Sequence, residues 1–176
     1  MDANEVLLYE HKIIYKLLDK LLEKINEIKK TNDVSGNFID LFTDFFITYI
    51  DVYHHGKEEN LMFKMLNEKP LSISHKNSMT LLIKQHELGR KLVEKIIIIS
   101  ARYFKIKKSE DIAELTALLR QFHKLYTEHA YFEDNSFFKE AMKYLTASEK
   151  EQLTQDFFKF NIQMINKKYK TLIDML

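Results

Sequence analysis

Residues 4–29 read NEVLLYEHKIIYKLLDKLLEKINEIK, and this stretch decides the fold. Its apolar residues recur every three or four positions, which is the spacing of one face of an α-helix. Asp2, with Glu5 three residues later, resembles a capping box and predicts where this helix begins. His11 is a polar residue inside the apolar stripe. A lone histidine in such a place is usually a core residue with a hydrogen-bond partner. His11 by itself therefore does not indicate a functional site.

The remaining sequence continues the helical pattern with few interruptions. Only three of the 176 residues are Gly and one is Pro, while 45% are hydrophobic, which is enough for one sizeable core. Further bundle helices are predicted over about residues 38–66, 78–104 and 109–145. Short connections between long helices favour antiparallel neighbours. The predicted fold is therefore all-α, with an up-down-up-down four-helix bundle over about residues 4–145 and a single domain over residues 1–176.

An additional C-terminal helix is predicted over about residues 148–175. Ser148 and Glu151 have the spacing of a capping box at its start. A seam of apolar residues with heptad-like spacing follows, formed by Phe158, Ile162, Ile165, Tyr169, Leu172 and Leu176. The seam has two interpretations: the helix packs against its own bundle, or it forms the contact of a homodimer.

Composition excludes several classes of function. The chain has 27 Lys and Arg against 26 Asp and Glu, dispersed along the helices, so no nucleic acid is expected as a partner. No apolar run is long enough for a membrane span. The start of the chain lacks the pattern of a signal peptide, and the chain contains no Cys. These features predict a cytoplasmic protein without disulfides or thiolate metal sites.

Four of the seven histidines form two pairs with the spacing of metal ligands. His11 is followed 44 positions later by His55, and His86 is followed 43 positions later by His129. A glutamate lies four residues beyond the second histidine of each pair, which places it on the same helix face. Antiparallel helices bring these positions to one level of the bundle. The predicted metal ligands are His11, His55, Glu59, His86, His129 and Glu133.

Four imidazoles and two carboxylates form a donor set that suits iron. Each of two iron ions would take two histidines, and the two glutamates would bridge them, together with an oxo or hydroxo group. Positions left open would accept a small ligand. The sequence therefore predicts two iron ions per chain, with a small diatomic molecule or peroxide as the reacting partner.

The register of the second helix has an alternative. His54 and Glu58 also have His-x3-Glu spacing, rotated by about 100° from His55 and Glu59. A phenylalanine four residues after both Glu59 and Glu133 favours the first register, in which His54 and Glu58 become hydrogen-bond partners of the ligands. Tyr126 lies one turn before His129 and is expected to contribute a hydrogen bond near the site or to pack in the core.

The segments around residues 54–59, 86–90 and 129–135, with His11 upstream, resemble the hemerythrin-like (HHE) cation-binding family. The resemblance implies an up-down bundle with a carboxylate-bridged di-iron site. Oxygen-carrying hemerythrins have two histidines one turn apart on the third helix. Here Leu82 and Arg90 occupy the positions one turn from His86, so one iron is expected to lack a third histidine and both irons are expected to stay open.

Three functions are compatible with this pattern. The first is a di-iron protein that binds or reacts with O2, NO or peroxide in sensing, scavenging or a stress response. The second is an iron-handling protein that donates iron, for example for iron–sulfur cluster repair. The third is a helical interaction module without a metal. The sequence shows no general base apart from the ligands, so it assigns no catalytic residue.

Overall fold

Six helices account for most of the chain in the computed structural model, which describes residues 1–159 and 162–175. None of these described residues forms a strand. The helices are α1 (Ala3–Thr31), α2 (residues 36–67), α3 (Ile73–Ile106), α4 (residues 109–144), α5 (Ala147–Phe158) and α6 (Ile162–Asp174). Helices α1 to α4 form an up-down-up-down bundle, which confirms the predicted fold class.

Two of the bundle helices change their winding along their length. Helix α2 is α-helical over Gly36–Asp44 and Phe63–Asn67, and π-helical over Phe45–His55 and Glu58–Met62. Helix α4 is α-helical over Ser109–Phe132, π-helical over Glu133–Phe137, α-helical over Phe138–Ala141 and 3₁₀ over Met142–Tyr144. π-Helical turns are rare and often occur at functional sites. Here they include three of the six predicted ligands, His55, Glu59 and Glu133.

Side-chain caps fix where α1 and α3 begin. The Asp2 side chain accepts from the backbone of Glu5, and the Glu5 side chain accepts from the backbone of Asp2, as the sequence predicted. Ser72 caps α3 by accepting from the His75 backbone at 3.2 Å. Helix α3 therefore begins at Ile73, about five residues before its predicted start, because this serine is a cap and not part of a longer loop.

The apolar core is divided into two clusters along the bundle. On α1, Leu7 belongs to one cluster and Ile13 to the other, with His11 between them. On α3, Leu82 and Leu92 flank His86 in the same way. The histidines therefore form a polar layer across the middle of an apolar bundle, and the two clusters separate this layer from solvent at both ends.

The C-terminal segment packs on the bundle as two helices. Helix α5 begins behind a Thr146–Glu149 capping box, which lies two residues before the predicted Ser148–Glu151 box. On α6, the Tyr169 hydroxyl donates to an Asp44 carboxylate oxygen at 2.9 Å, and its ring is fully buried. The apolar side of α6 thus contacts the protein's own bundle. Leu176 and the side chain of Ile162, two members of the predicted seam, lie outside the described residues.

Candidate metal centre

Five buried histidines meet in the polar layer, and every bundle helix supplies at least one of them. Each is at most 2% exposed. Helix α2 supplies two consecutive ones, His54 and His55, whose ring centroids lie 5.7 Å apart. In an α-helix consecutive side chains diverge by about 100°. The π-helical winding of Phe45–His55 is wider, and it lets both rings face the bundle interior.

The histidines and two glutamates form two adjoining groups. In the two-histidine cluster, His11 and His54 lie with Glu58 and Glu133. In the three-histidine cluster, imidazoles from three helices lie with Glu58, which both clusters share: His55, His86 and His129. Within each cluster, one potential ligand atom of every residue lies within 4.8 Å of the others. That is the spread expected of ligands around one ion.

Glu58 lies between the two clusters. One of its carboxylate oxygens is 3.3 Å from His54 Nε2 and the other is 3.4 Å from His86 Nε2. Among the described residues, neither oxygen has a hydrogen-bond partner, although both are buried. A buried carboxylate without partners is costly. Its two oxygens are directed as a ligand that bridges two cations would require.

Glu133 makes the corresponding contacts from α4. Its Oε2 atom is 3.3 Å from His11 Nε2, in one cluster, and 3.1 Å from His129 Nε2, in the other. Within the described part of the chain, both of its oxygens are also buried without a hydrogen-bond partner. Each carboxylate therefore contacts one histidine of each cluster.

The outer nitrogen of every histidine in the layer has an oxygen acceptor. Carboxylate and amide oxygens only accept, so each Nδ1 atom donates. The Nδ1 partners are Asp134 for His11 (2.6 Å), Glu10 for His54 (2.9 Å), Asp51 for His55 (3.4 Å), Glu59 for His86 (2.7 Å) and the Gln85 amide for His129 (3.0 Å). Such partners fix the tautomer of a metal-binding histidine and the direction of its ring.

The inner nitrogens face one another across each cluster. His11 Nε2 lies 2.9 Å from His54 Nε2, and His86 Nε2 lies 3.2 Å from His129 Nε2. A neutral imidazole with its proton on Nδ1 has an unshared pair on Nε2. Two unshared pairs at this separation repel unless a proton or a cation lies between them. A proton on His11 would satisfy the first pair, but among the described residues both Glu58 oxygens would still lack a donor, so the donor set as a whole fits metal ions better than it fits a self-contained hydrogen-bond network.

Burial and the neighbouring carboxylates shift the pKa values of the layer in both directions. Burial lowers the pKa of His11, but the Asp134 and Glu133 carboxylates outweigh it and raise this pKa to about 9. Burial, together with the charges of Glu133 and Glu10, raises the pKa of Glu58 well above its usual value. Burial also lowers the pKa of His54, to about 4. Burial likewise lowers the pKa of His55 and of His86, so three of the five imidazoles are held in the neutral form that binds a metal.

The structure brings together five of the six sequence-predicted ligands: His11, His55, His86, His129 and Glu133. It also brings in His54 and Glu58, the alternative register of the second helix, which the favoured register treats as hydrogen-bond partners of the ligands. Glu59 lies in neither cluster. It is 25% exposed and accepts from His86 and Arg90, so it contacts a histidine from outside. The π-helical winding is the cause, because it directs Glu58 inward.

Tyr126 packs beside the site without a hydrogen bond. Its ring stacks on His55 at 5.8 Å between centroids, and among the described residues its buried hydroxyl has no partner. The hydroxyl lies against Gly89, where an added Cβ would come within 2.0 Å of it. Only glycine leaves room for the tyrosine here.

Sequence reasoning missed four residues whose oxygens accept from the outer nitrogens of the histidines: Glu10, Asp51, Gln85 and Asp134. Partial signals were present. Asp51 lies four residues before His55, and Asp134 directly follows Glu133. Nothing in the spacing distinguished these residues from the many other charged residues of the helix surfaces.

A four-helix bundle whose buried layer consists of imidazoles and shared carboxylates defines a class of metal-binding helical proteins. The family model of the hemerythrin HHE cation-binding domain matches residues 2–141. The chain therefore belongs to the hemerythrin HHE cation-binding family. No curated protein and no solved structure matches the chain significantly. Among the described helices, none is both long and apolar enough to cross a membrane.

Proposed function

We propose that this protein holds two iron ions in the buried layer, one in each cluster, and binds or reacts with O2, NO or peroxide. Glu58 and Glu133 bridge the ions, together with an oxo or hydroxo group. The other ligands are His11 and His54 for one ion, and His55, His86 and His129 for the second. Bound iron supplies a redox-active centre with positions for a small ligand, and the protein's residues orient and enclose it.

The contacts of the two glutamates carry this proposal. Glu58 and Glu133 each contact one histidine of each cluster. Within the described chain, both carboxylates are buried without a hydrogen-bond partner. Two divalent ions with two carboxylates and one hydroxo group leave a charge near +1. The carboxylates that accept from the outer nitrogens lie close enough to compensate for it.

One cluster has two imidazoles and the other has three, and this difference supports reaction with a small ligand at the cluster that has fewer. Because His55 adds a third imidazole to one cluster, the two-histidine cluster has more room for an exogenous ligand. The sequence analysis assigned two histidines to each ion, because the third helix has no second histidine beside His86, and it therefore expected both ions to stay open. The proposed set makes the ion beside His11 and His54 the position for O2, NO or peroxide, as in a sensor, a scavenger or a stress-response protein.

The two alternative functions have less support. An iron donor needs ligands that exchange with solvent, yet all seven proposed ligands are at most 2% exposed. An interaction module without a metal would have no reason to bury two carboxylates without partners. Burial of the ligands instead suits two iron ions that stay bound while small molecules enter and leave.

Metal analysis with spectroscopy tests the proposal. The purified protein is loaded with ferrous iron without air, and the bound metal is counted. Optical and Mössbauer spectra are then recorded before and after adding O2, NO or hydrogen peroxide. We expect two iron ions per chain and a paired-iron spectrum that changes with at least one of these reagents. Fewer than two retained ions would contradict the di-iron centre, and an unchanged spectrum would contradict the proposed reactivity.

A further inference from the structure

Arg90 holds two carboxylates that contact histidines of the three-histidine cluster. It lies on α3, one turn after His86. Its Nε donates to Asp51 Oδ1 at 2.7 Å, and its Nη2 donates to Glu59 Oε1 at 2.8 Å. These same two oxygen atoms accept from the cluster: Asp51 Oδ1 from His55 Nδ1 and Glu59 Oε1 from His86 Nδ1. One guanidinium is thus linked through two carboxylates to two imidazoles.

We propose that Arg90 is a positioning residue for the three-histidine cluster. It acts through Asp51 and Glu59 and fixes the rings of His55 and His86. The two rings stack with centroids 3.7 Å apart and planes within 10°, an arrangement that small rotations would disturb. This inference rests on the proposed function, because it assigns Arg90 a role in retaining the second iron ion.

The chemistry of the guanidinium suits this role. Its planar fork presents two N–H groups in fixed directions, so it holds both carboxylates in one geometry, which a lysine ammonium does not do. Its charge also offsets the repulsion between Asp51 and Glu59. Arg90 is 36% exposed at the side chain, so its replacement leaves no buried cavity.

The effect of Arg90 is confined to one cluster. The partners of the two-histidine cluster are Asp134 and Glu10, and Glu10 pairs with the buried ammonium of Lys57. Removing Arg90 should therefore weaken the three-histidine position and leave the other position unchanged. A merely structural arginine would affect both positions or neither.

Arg102 provides a matched control on the same helix. Its guanidinium also spans two carboxylates, with Nε at 2.7 Å from Asp111 Oδ1 and Nη2 at 2.8 Å from Glu114 Oε2. Neither of these carboxylates contacts a histidine of the polar layer. Arg102→Gln thus removes the same kind of ion-pair fork without touching the proposed iron ligands.

The test compares wild type, Arg90→Gln, Arg90→Lys and Arg102→Gln. Ferrous iron is titrated into each apoprotein without air, and Mössbauer spectra assign the bound ions. Thermal unfolding of each apoprotein serves as an independent readout. We expect Arg90→Gln to weaken the binding of one of the two ions by about 10-fold, the lower end of the range for direct partners of metal ligands, because Arg90 acts through Asp51 and Glu59. Arg90→Lys should behave like Arg90→Gln, and Arg102→Gln like wild type.

Unchanged affinity for both ions in folded Arg90→Gln would overturn the inference, and so would equal weakening of both ions. If Arg90→Gln does not fold, Arg90→Lys decides by the same criteria. Two retained ions in wild type and Arg102→Gln, with no effect at position 90, leave the proposed function standing and remove only this inference. Fewer than two ions in wild type would remove the proposed function itself.

Discussion

Helices α2 and α4 carry the same His-x3-Glu spacing but present it differently. On α4, His129 lies in regular α-helix, and the next residue, Ala130, is small and buried. On α2, His54 lies in a π-helical segment, and the next residue, His55, is a second histidine that faces the same layer. His54 with Glu58 is therefore the counterpart of His129 with Glu133, and His55 is an addition.

The comparison shows how a change of helical winding can replace a ligand. The third helix offers one histidine to this layer, whereas oxygen-carrying hemerythrins have two on that helix. On α2 the wider winding turns a neighbouring residue inward, so the three-histidine cluster obtains its third imidazole from a different helix. The His-x3-Glu segments of α2 and α4 have the same residue spacing, and the helical winding of the backbone at the histidine distinguishes them.

The largest expected effect comes from removing the glutamates that contact both clusters. Glu58→Gln and Glu133→Gln should each abolish the paired-iron spectrum, because an amide is a poor bridge between two cations. Their neighbours Glu59 and Asp134 only orient histidines, so Glu59→Gln and Asp134→Asn should retain two ions with affinity reduced by about 10–100-fold. Metal analysis and Mössbauer spectra measure both effects.

A stability measurement separates loss of iron from loss of fold. In the apoprotein the pKa of Glu58 is raised, so its charge opposes folding at every pH above its unfolded pKa. Glu58→Gln apoprotein should therefore be at least as stable at pH 7 as wild-type apoprotein. Paired iron that survives Glu58→Gln but not Glu59→Gln would mean that α2 uses the other register.

A smaller effect is expected from removing the consecutive histidines of α2 one at a time. His54→Gln leaves one imidazole in the two-histidine cluster, so that ion should be lost. His55→Gln leaves two imidazoles beside Glu58, so both ions should stay, with one bound more weakly and a more symmetric Mössbauer spectrum. Equal losses in the two variants would show that His55 is no addition but an equivalent of His54.

The sequence was sufficient for the fold because the fold depends on periodic signals. Apolar spacing, a capping box at Asp2 and the scarcity of breakers located four long helices to within a few residues, except where Ser72 caps α3. Most of the polar layer was also predictable, since histidines at one level of antiparallel helices meet whatever the details of packing.

The register of α2 was not predictable, because an assumed 3.6-residue period cannot reveal a π-helical segment. With that period, only one of the pairs His54–Glu58 and His55–Glu59 can face the bundle interior. The sequence analysis favoured the pair with Glu59, whereas in the structure Glu58 faces the interior. The outer partners were hidden for another reason. Gln85 and Asp134 contact histidines on other helices, and such contacts follow from packing, not from local spacing.

The smallest effect concerns the two glycines beside the ligand histidines. Gly89 faces the Tyr126 hydroxyl, and a Cβ there would lie 2.0 Å from it, whereas a Cβ on Gly56 would meet nothing closer than 3.9 Å. Tyr126 is buried and stacked on His55, so it has little freedom to move away.

Gly89→Ala should therefore destabilise the apoprotein by about 1–3 kcal/mol, the usual cost of overpacking. Gly56→Ala should stabilise it by up to about 1 kcal/mol through helix propensity. Chemical denaturation of both apoproteins measures the two stability changes, which should have opposite signs although each glycine lies within one helical turn of a proposed ligand. Because the displaced tyrosine stacks on His55, Gly89→Ala should also perturb the iron of the three-histidine cluster in the Mössbauer spectrum, and Gly56→Ala should not. Equal stabilities for the two variants would mean that Tyr126 moves freely and does not hold His55 in place.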